Sequence, residues 1–368
     1  MFNGAMQQES IRRAVAAWLF ACCALVFAMV VVGGVTRLTH SGLSIVEWQP
    51  IVGTLPPLTD AGWQQAFAKY QATPEYRLVN HAMDLAGFKG IFWWEYVHRL
   101  LGRAIGVVFI VPLAWFVLRR RIPPALARGL AIIFVLGGLQ GALGWYMVQS
   151  GLVDDPRVSH FRLAAHLGLA LAIFAAMFWV ALSIARRHPA AGARERVRAG
   201  APAKAVCARL RHAGVCVAAL VFAMALTGAL VAGIRAGFAY NTFPSMNGYV
   251  VPPEIMMLKP WYLNPLYNMA TVQFDHRAIA WLLAFAVPAL CIAVLRSRAA
   301  ARAAKIGALF MLAAVAVQIA LGIGTLLLRV PVPLAALHQA GAVLLFAAAL
   351  NVAHALRTPP IAGGRALR

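Results

Sequence analysis

The chain has 368 residues, 62% of them hydrophobic and 12% charged, with mean hydropathy +0.75; soluble domains carry roughly half apolar and about a quarter charged residues. This excludes an ordinary soluble domain and assigns the chain to the membrane. The formal charge of +22 does not mark a nucleic-acid binder, because Lys and Arg fall in alternate connections rather than on one face or in one tail.

A helix crosses a bilayer core with about 20 mostly apolar residues. Eight such runs are predicted, centred near Ala24, Phe109, Leu139, Ala175, Phe222, Ala284, Ala316 and Leu345. The first spans Ala14 to Val32 and ends in Gly33-Gly34-Val35-Thr36-Arg37, which is no small-residue cleavage site, so it reads as a retained helix. An outer loop from Thr36 to Trp93 follows, long enough to cover a site and rich in Trp, Pro and Gly. The later outer loop, Arg235 to Gln273, is turn-prone and aromatic around Tyr240-Asn241-Thr242-Phe243-Pro244 and Val251-Pro252-Pro253, with room for short interfacial helices.

Basic clusters stand at Arg12 and Arg13, at Arg119 to Arg121 with Arg128, from Arg186 to Arg211, from Arg296 to Lys305, and after His354. The positive-inside rule makes these the cytoplasmic segments, so both termini are expected in the cytoplasm of a cell with the chain in its inner membrane. The other connections hold most of the acids: Glu47, Asp60, Glu75, Asp84, Asp154, Asp155, Glu254 and Asp275. Cys22, Cys23, Cys207, Cys216 and Cys291 avoid the outer loops, so no disulfide is expected there.

The halves resemble each other. The first run ends GGVTRLTHSG and the fifth GALVAGIRAG; the third carries LQGALG and the seventh QIALGIG. Gln140 and Gln318, and likewise His98 and His276, stand 178 residues apart, and His166 and His338 stand 172 apart. The expected fold is all-α and integral to the membrane, eight transmembrane helices arranged as two pseudo-symmetric four-helix bundles: residues 1–185, a basic linker 186–211, and residues 212–368.

Six of the ten histidines, His40, His81, His160, His188, His212 and His354, lie in loops or at helix ends, where solvation or interfacial anchoring accounts for them. The other four, His98, His166, His276 and His338, fall early in the even-numbered runs, all of which run inward from the outer side. Four imidazoles at similar depth, two per half, suit axial ligation of two haem irons. One intramembrane His is as readily a hydrogen-bonded packing residue, but four paired by a repeat favour ligation. A zinc or copper site would need all four to converge, whereas the repeat divides them two and two.

Arg99 and Arg277 directly follow ligand candidates and Arg103 lies one turn further on. All three are candidates for pairing with haem propionates, although Arg at a helix end also simply snorkels, as Arg37 and Arg235 would. Glu95 stands three residues before His98, on the same helical face. The repeat puts neutral Gln273 at its counterpart, so one site reads as reactive and the other as structural or electron-carrying. The alternative for Glu95 is a solvated acid favoured by the helix dipole.

FKGIFWWEYVHRLLGR from Phe88 to Arg103, GGVTRLTHSGLSIVEWQPIVGTLPPL from Gly33, RAGFAYNTFPSMNG from Arg235 and NMATVQFDHR from Asn268 to Arg277 resemble the haem A synthase family, in its mitochondrial and proteobacterial branch without outer-loop cysteine pairs. The resemblance covers nearly the whole chain except the linker and the two ends. It implies oxidation of the C8 methyl of haem O to a formyl group, giving haem A for cytochrome c oxidase. By family motif, the resemblance implies that His98 and His166 flank the substrate haem with Glu95 as the acidic catalytic residue, and that His276 and His338 hold haem b. The expected mechanism is successive oxidation of the methyl, with Glu95 taking a proton or stabilising positive charge. Implied partners are the haem O synthase, cytochrome c oxidase assembly factors, an electron acceptor of unspecified identity and membrane lipid; a homo-oligomer is compatible with all of this. The same histidines would also serve a dihaem b-type cytochrome oxidising quinol, or a haem carrier for which Glu95 is incidental.

Overall fold

The computed structural model describes residues 2–48, 52–153, 156–186 and 201–357, which are mostly helical and contain no extended strand. The helices are α1 (Phe2–Leu38), α2 (Asp60–Gln71), α3 (Pro74–Leu78), α4 (Leu85–Leu118), α5 (Pro124–Gln149), α6 (His160–Ala185), α7 (Ala201–Gly233), α8 (Asn264–Tyr267), α9 (Met269–Arg296), α10 (Arg302–Leu327) and α11 (Val332–Ala355). Eight of these, α1, α4, α5, α6, α7, α9, α10 and α11, are long and apolar enough to cross a membrane, and each corresponds to one predicted run.

Local chemistry sets the boundaries. The Asp84 carboxylate accepts from the Gly87 amide at 2.8 Å to open α4, and the Asn268 side chain accepts from Ala270 N to open α9. Proline occupies the first turn of α5 and of α11, where no amide donor is needed. The second spanning helix of each half carries an internal proline, Pro112 or Pro288.

Neighbouring helices close into two rings. α1 packs on α4, α4 on α5, α5 on α6 and α6 on α1; α7, α9, α10 and α11 repeat the same cycle. The halves meet through α6 on α7, α1 on α11, and α6 on α11, the contacts expected of a duplicated four-helix unit. Buried Leu19, Leu130, Met177, Ala181, Val287, Met311 and Ala349 fill the interior, while Val111, Phe285, Phe310 and Val317 remain exposed, as lipid-facing side chains do at no cost.

Three expected boundaries move. α1 runs from Phe2 to Leu38, so Arg37 is its last-turn cation rather than part of a loop. α4 begins at Leu85, so His98 lies well inside it instead of opening it. The added turns of α4 bury Phe88, Phe92 and Tyr96 against Trp63, Phe67 and Tyr70 of α2, an aromatic packing that stabilises helix beyond what lipid crossing requires. α7 begins at Ala201, inside the expected linker; residues 187–200, with His188, and Asp154, Asp155 and the basic tail from 358 onward lie outside the described residues.

Candidate haem sites

The four histidines pair within halves. His98 on α4 and His166 on α6 lie within electrostatic range of each other, as do His276 on α9 and His338 on α11. Among the described residues no three His, Cys, Asp or Glu side chains gather into one metal-ion site.

Each imidazole rests against a glycine of the preceding helix in its ring. A methyl group built on Gly33 would stand 2.9 Å from Cε1 of His98, on Gly144 2.9 Å from that of His166, on Gly228 3.2 Å from that of His276, and on Gly322 2.8 Å from that of His338. Any side chain larger than hydrogen would displace the ring, so these four close approaches aim the imidazoles.

Other groups hold the ligand turns. Gln140 Nε2 donates to the His166 carbonyl oxygen at 2.9 Å and lies 3.1 Å from His166 Nδ1. Gln318 Nε2 donates to the His338 carbonyl at the same distance. Thr227 Oγ1 is 2.9 Å from His276 Nδ1. The Nδ1 atoms of His98 and His338 are buried without a partner among the described residues. One imidazole in each half, His166 or His276, is thus held from its Nδ1 side, which leaves Nε2 for a ligand, and two buried neutral imidazoles per half are a donor set that fits a haem iron.

The loops that follow α1 and α7 are fastened by two residues on the first histidine-bearing helix of each half, three positions before and one after the histidine. In the first half the buried Glu95 carboxylate accepts from Ser44 Oγ at 2.7 Å, from the Ile45 amide at 2.8 Å, and from Arg99 at 2.6 Å; Arg99 also donates to the carbonyls of Ile45 and Glu47. In the second half buried Gln273 and half-buried Arg277 both donate to the Tyr240 carbonyl, at 3.2 and 2.9 Å, and Arg277 also reaches that of Ser245. The halves thus use the same two positions for the same fastening, one with a charge and one without. Arg103 is half-buried one turn below Arg99.

Glu95 therefore sits where the sequence places it, but it points its oxygens to loop donors and Arg99. Arg99 and Arg277 likewise serve the loops. Arg37 and Arg235 work at the seam between halves: Arg37 donates to the carbonyls of Ala232 and Gly233, and Arg235 lies 3.4 Å from His40 Nδ1. His354, expected at a solvated helix end, is instead buried on the opposite side of the membrane domain, between Ser183 Oγ and Arg186, both at 2.9 Å, with its edge to Trp179. It is a polar tie between α6 and α11.

Sequence reasoning quoted the motifs holding the four glycines but assigned them no part; Gly144 and Gly322 each follow their glutamine by four residues, and Gly33 and Gly228 each open a repeated motif. Ser44 lies within the segment quoted from Gly33, and Thr227 directly precedes the motif that Gly228 opens; neither carried a further signal.

The family model described as "Cytochrome oxidase assembly protein" (COX15-CtaA) matches residues 16–350. The chain is 56% identical over 353 residues to a protein named "Heme A synthase" from Nitrosospira multiformis, covering 95% of this chain and 96% of that one. It is 51% identical to its namesake from Nitrosomonas eutropha, with 93% of each covered, and 46% identical to that from Rhodospirillum centenum, with 97% of this chain and 92% of the relative covered. With its eight apolar helices and its four paired histidines, the chain belongs to the COX15-CtaA family of cytochrome oxidase assembly proteins.

Proposed function

We infer that this chain is a membrane oxidoreductase that converts haem O to haem A, oxidising the C8 methyl to a formyl group for cytochrome c oxidase. Relatives of that name along nearly the full chain carry this reading. Within it, the first half takes haem O between His98 and His166, and the second keeps haem b between His276 and His338. The single observation favouring this division is the charged fastening of Glu95 where the second half has Gln273.

The residues of the first half supply binding, orientation and a proton site. His98 and His166 hold the substrate, the loop from Ser41 to Trp48 covers it, and Trp48 stacks on Trp145 of α5 at 5.3 Å, which ties that loop to the bundle. Oxidising a methyl group removes protons, and the Glu95 carboxylate takes them or faces the developing positive charge. In this reading Arg99 and Arg103 of α4 meet the propionates of haem O, and Arg277 those of haem b. When bound, haem b supplies a redox centre in the second half.

The chain lies in the cell inner membrane with both termini cytoplasmic and the haem sites toward the periplasm, a reading supported by the basic connections and the even number of spans. Its partners in this reading are the haem O synthase that delivers substrate and the oxidase assembly factors that take product. Membranes co-expressing the chain with a source of haem O should yield haem A on extraction, chromatography and mass analysis. Unmodified haem B and haem O alone would instead favour an electron-carrying cytochrome or a carrier.

A further inference from the structure

The end of the helix bundle away from the four paired histidines carries a groove that haem binding does not use. His354 of α11 stands 16 residues beyond His338, about 24 Å along the helix. Beside it, Ala176 and Trp179 of α6, Val215 and Ala218 of α7 and Leu350 of α11 line a groove of about 600 Å³. Its walls are apolar and come from both halves, so it lies on their seam. Val215 is exposed, which leaves the groove open toward lipid.

Three arginines stand at this end, one from each helix of the groove. Arg186 closes α6, Arg357 follows the last turn of α11, and Arg211 of α7 lies one turn before Val215, on the helix face that carries Val215 and Ala218. Their partners are neutral. Arg186 donates to His354 Nδ1 at 2.9 Å and to the Asn351 side chain. A guanidinium only donates, so Nδ1 accepts and the imidazole is neutral, its Nε2–H donating to Ser183 Oγ at 2.9 Å. Arg357 donates to the same hydroxyl at 3.3 Å and lies 5.4 Å from the centre of the Trp179 ring in the groove wall. Among the described residues the acid at this end is Glu9, which Arg12 and Arg13 engage at 2.6 and 2.9 Å. Three cations thus border an apolar slot, and no described carboxylate neutralises them.

We propose that the groove seats an anionic phospholipid, one acyl chain lying between α6, α7 and α11 and the phosphate meeting Arg186, Arg211 and Arg357. A zwitterionic lipid offers the same chain but brings its own cation, so the three arginines select for net negative charge. The basic connections put this end of the bundle against the cytoplasmic leaflet, where anionic headgroups are available. The lipid joins the halves, since its chain touches one helix of the first and two of the second. The assignment is independent of the haem chemistry.

The test uses the purified full-length protein in phosphatidylcholine vesicles, into which chain-brominated phosphatidylglycerol or chain-brominated phosphatidylcholine is titrated. Bromine quenches indole on contact, and the signal of Trp179 is the difference between wild type and Trp179→Phe. Phosphatidylglycerol should quench Trp179 at a mole fraction at least tenfold lower than phosphatidylcholine. Arg211→Gln combined with Arg357→Gln, which leaves the tie between Arg186 and His354 in place, should remove that preference, each arginine near an anionic lipid being worth roughly fivefold. Arg211→Gln alone breaks no tie at Ser183 or Trp179 and should already lose roughly fivefold. Haem content, unchanged in every variant, reports that the chain has folded. Equal quenching by the two lipids marks an ordinary annular position and overturns the proposal, as does a preference that survives the double substitution. Quenching by neither lipid, the result where a second copy of the chain covers the groove, overturns it as well.

Discussion

Glu95 and Arg99, one helical turn apart on α4, form an ion pair of 2.6 Å whose remaining bonds all go to the first outer loop. One pair of side chains thereby fixes both the position of a buried charge beside a histidine and the closure of the segment above it. The planar guanidinium is needed because three directions must be served at once: the carboxylate, Ile45 O and Glu47 O.

Arg99→Lys keeps the charge but loses the fork. The loop should loosen by on the order of 2 kcal/mol, the scale of charge-assisted hydrogen bonds. Limited proteolysis should then cut between Ser41 and Trp48 several-fold faster than in wild type, with haem in the second half retained.

Gly322→Leu forces His338 aside, since even a methyl would stand 2.8 Å from its ring. Haem per polypeptide should fall by about half, with the loss confined to the second half, on the two-and-two division of ligands. Gly144→Leu should make the matching loss in the first half. Haem quantification with optical spectra of each variant checks both; loss of all haem from either would argue against separate sites.

Gln318→Leu removes the donor that holds the His338 carbonyl without touching the imidazole. Supporting groups of this kind change affinity by about 10- to 100-fold. The second-half haem should therefore be extracted by apomyoglobin correspondingly faster, and Gln140→Leu should do the same to the first half.

Glu75 gives the fold a pH dependence of defined sign. Its carboxyl is pushed up to about 7, chiefly by burial, so the folded form holds a proton that the unfolded chain has already lost. The contribution is fully present below the ordinary carboxyl value and is lost as pH rises through about 7. The loop in wild type should become easier to cleave as pH rises from 4.5 to about 7, and Glu75→Gln should flatten the trend.

The eight spans and the pairing of histidines were legible because hydropathy and an internal repeat are properties of the chain alone. The start of α4 was not: Leu85 to Val97 is helical because Phe88 and Phe92 pack on α2, a tertiary contact that no local pattern announces. His354 was misread for a related reason. A helix-end histidine looks solvated until Arg186 and Ser183 arrive from a helix 168 and 171 residues away. The glycines opposite the ligands were visible as letters of repeated motifs, but their use depends on which helix faces which. Glu95 was legible as the acid beside His98, while its bonds to Ser44 and Ile45 depend on how the loop folds back.

The most direct test of the account is the haem composition of the Glu95→Gln variant, purified from membranes that supply haem O. This substitution installs in the first half the neutral group that the second half carries at Gln273. The account predicts a protein that retains haem in both halves, with haem O unmodified and haem A absent. Haem A formed at the wild-type level would contradict it and leave Glu95 as a fastening for the loop alone.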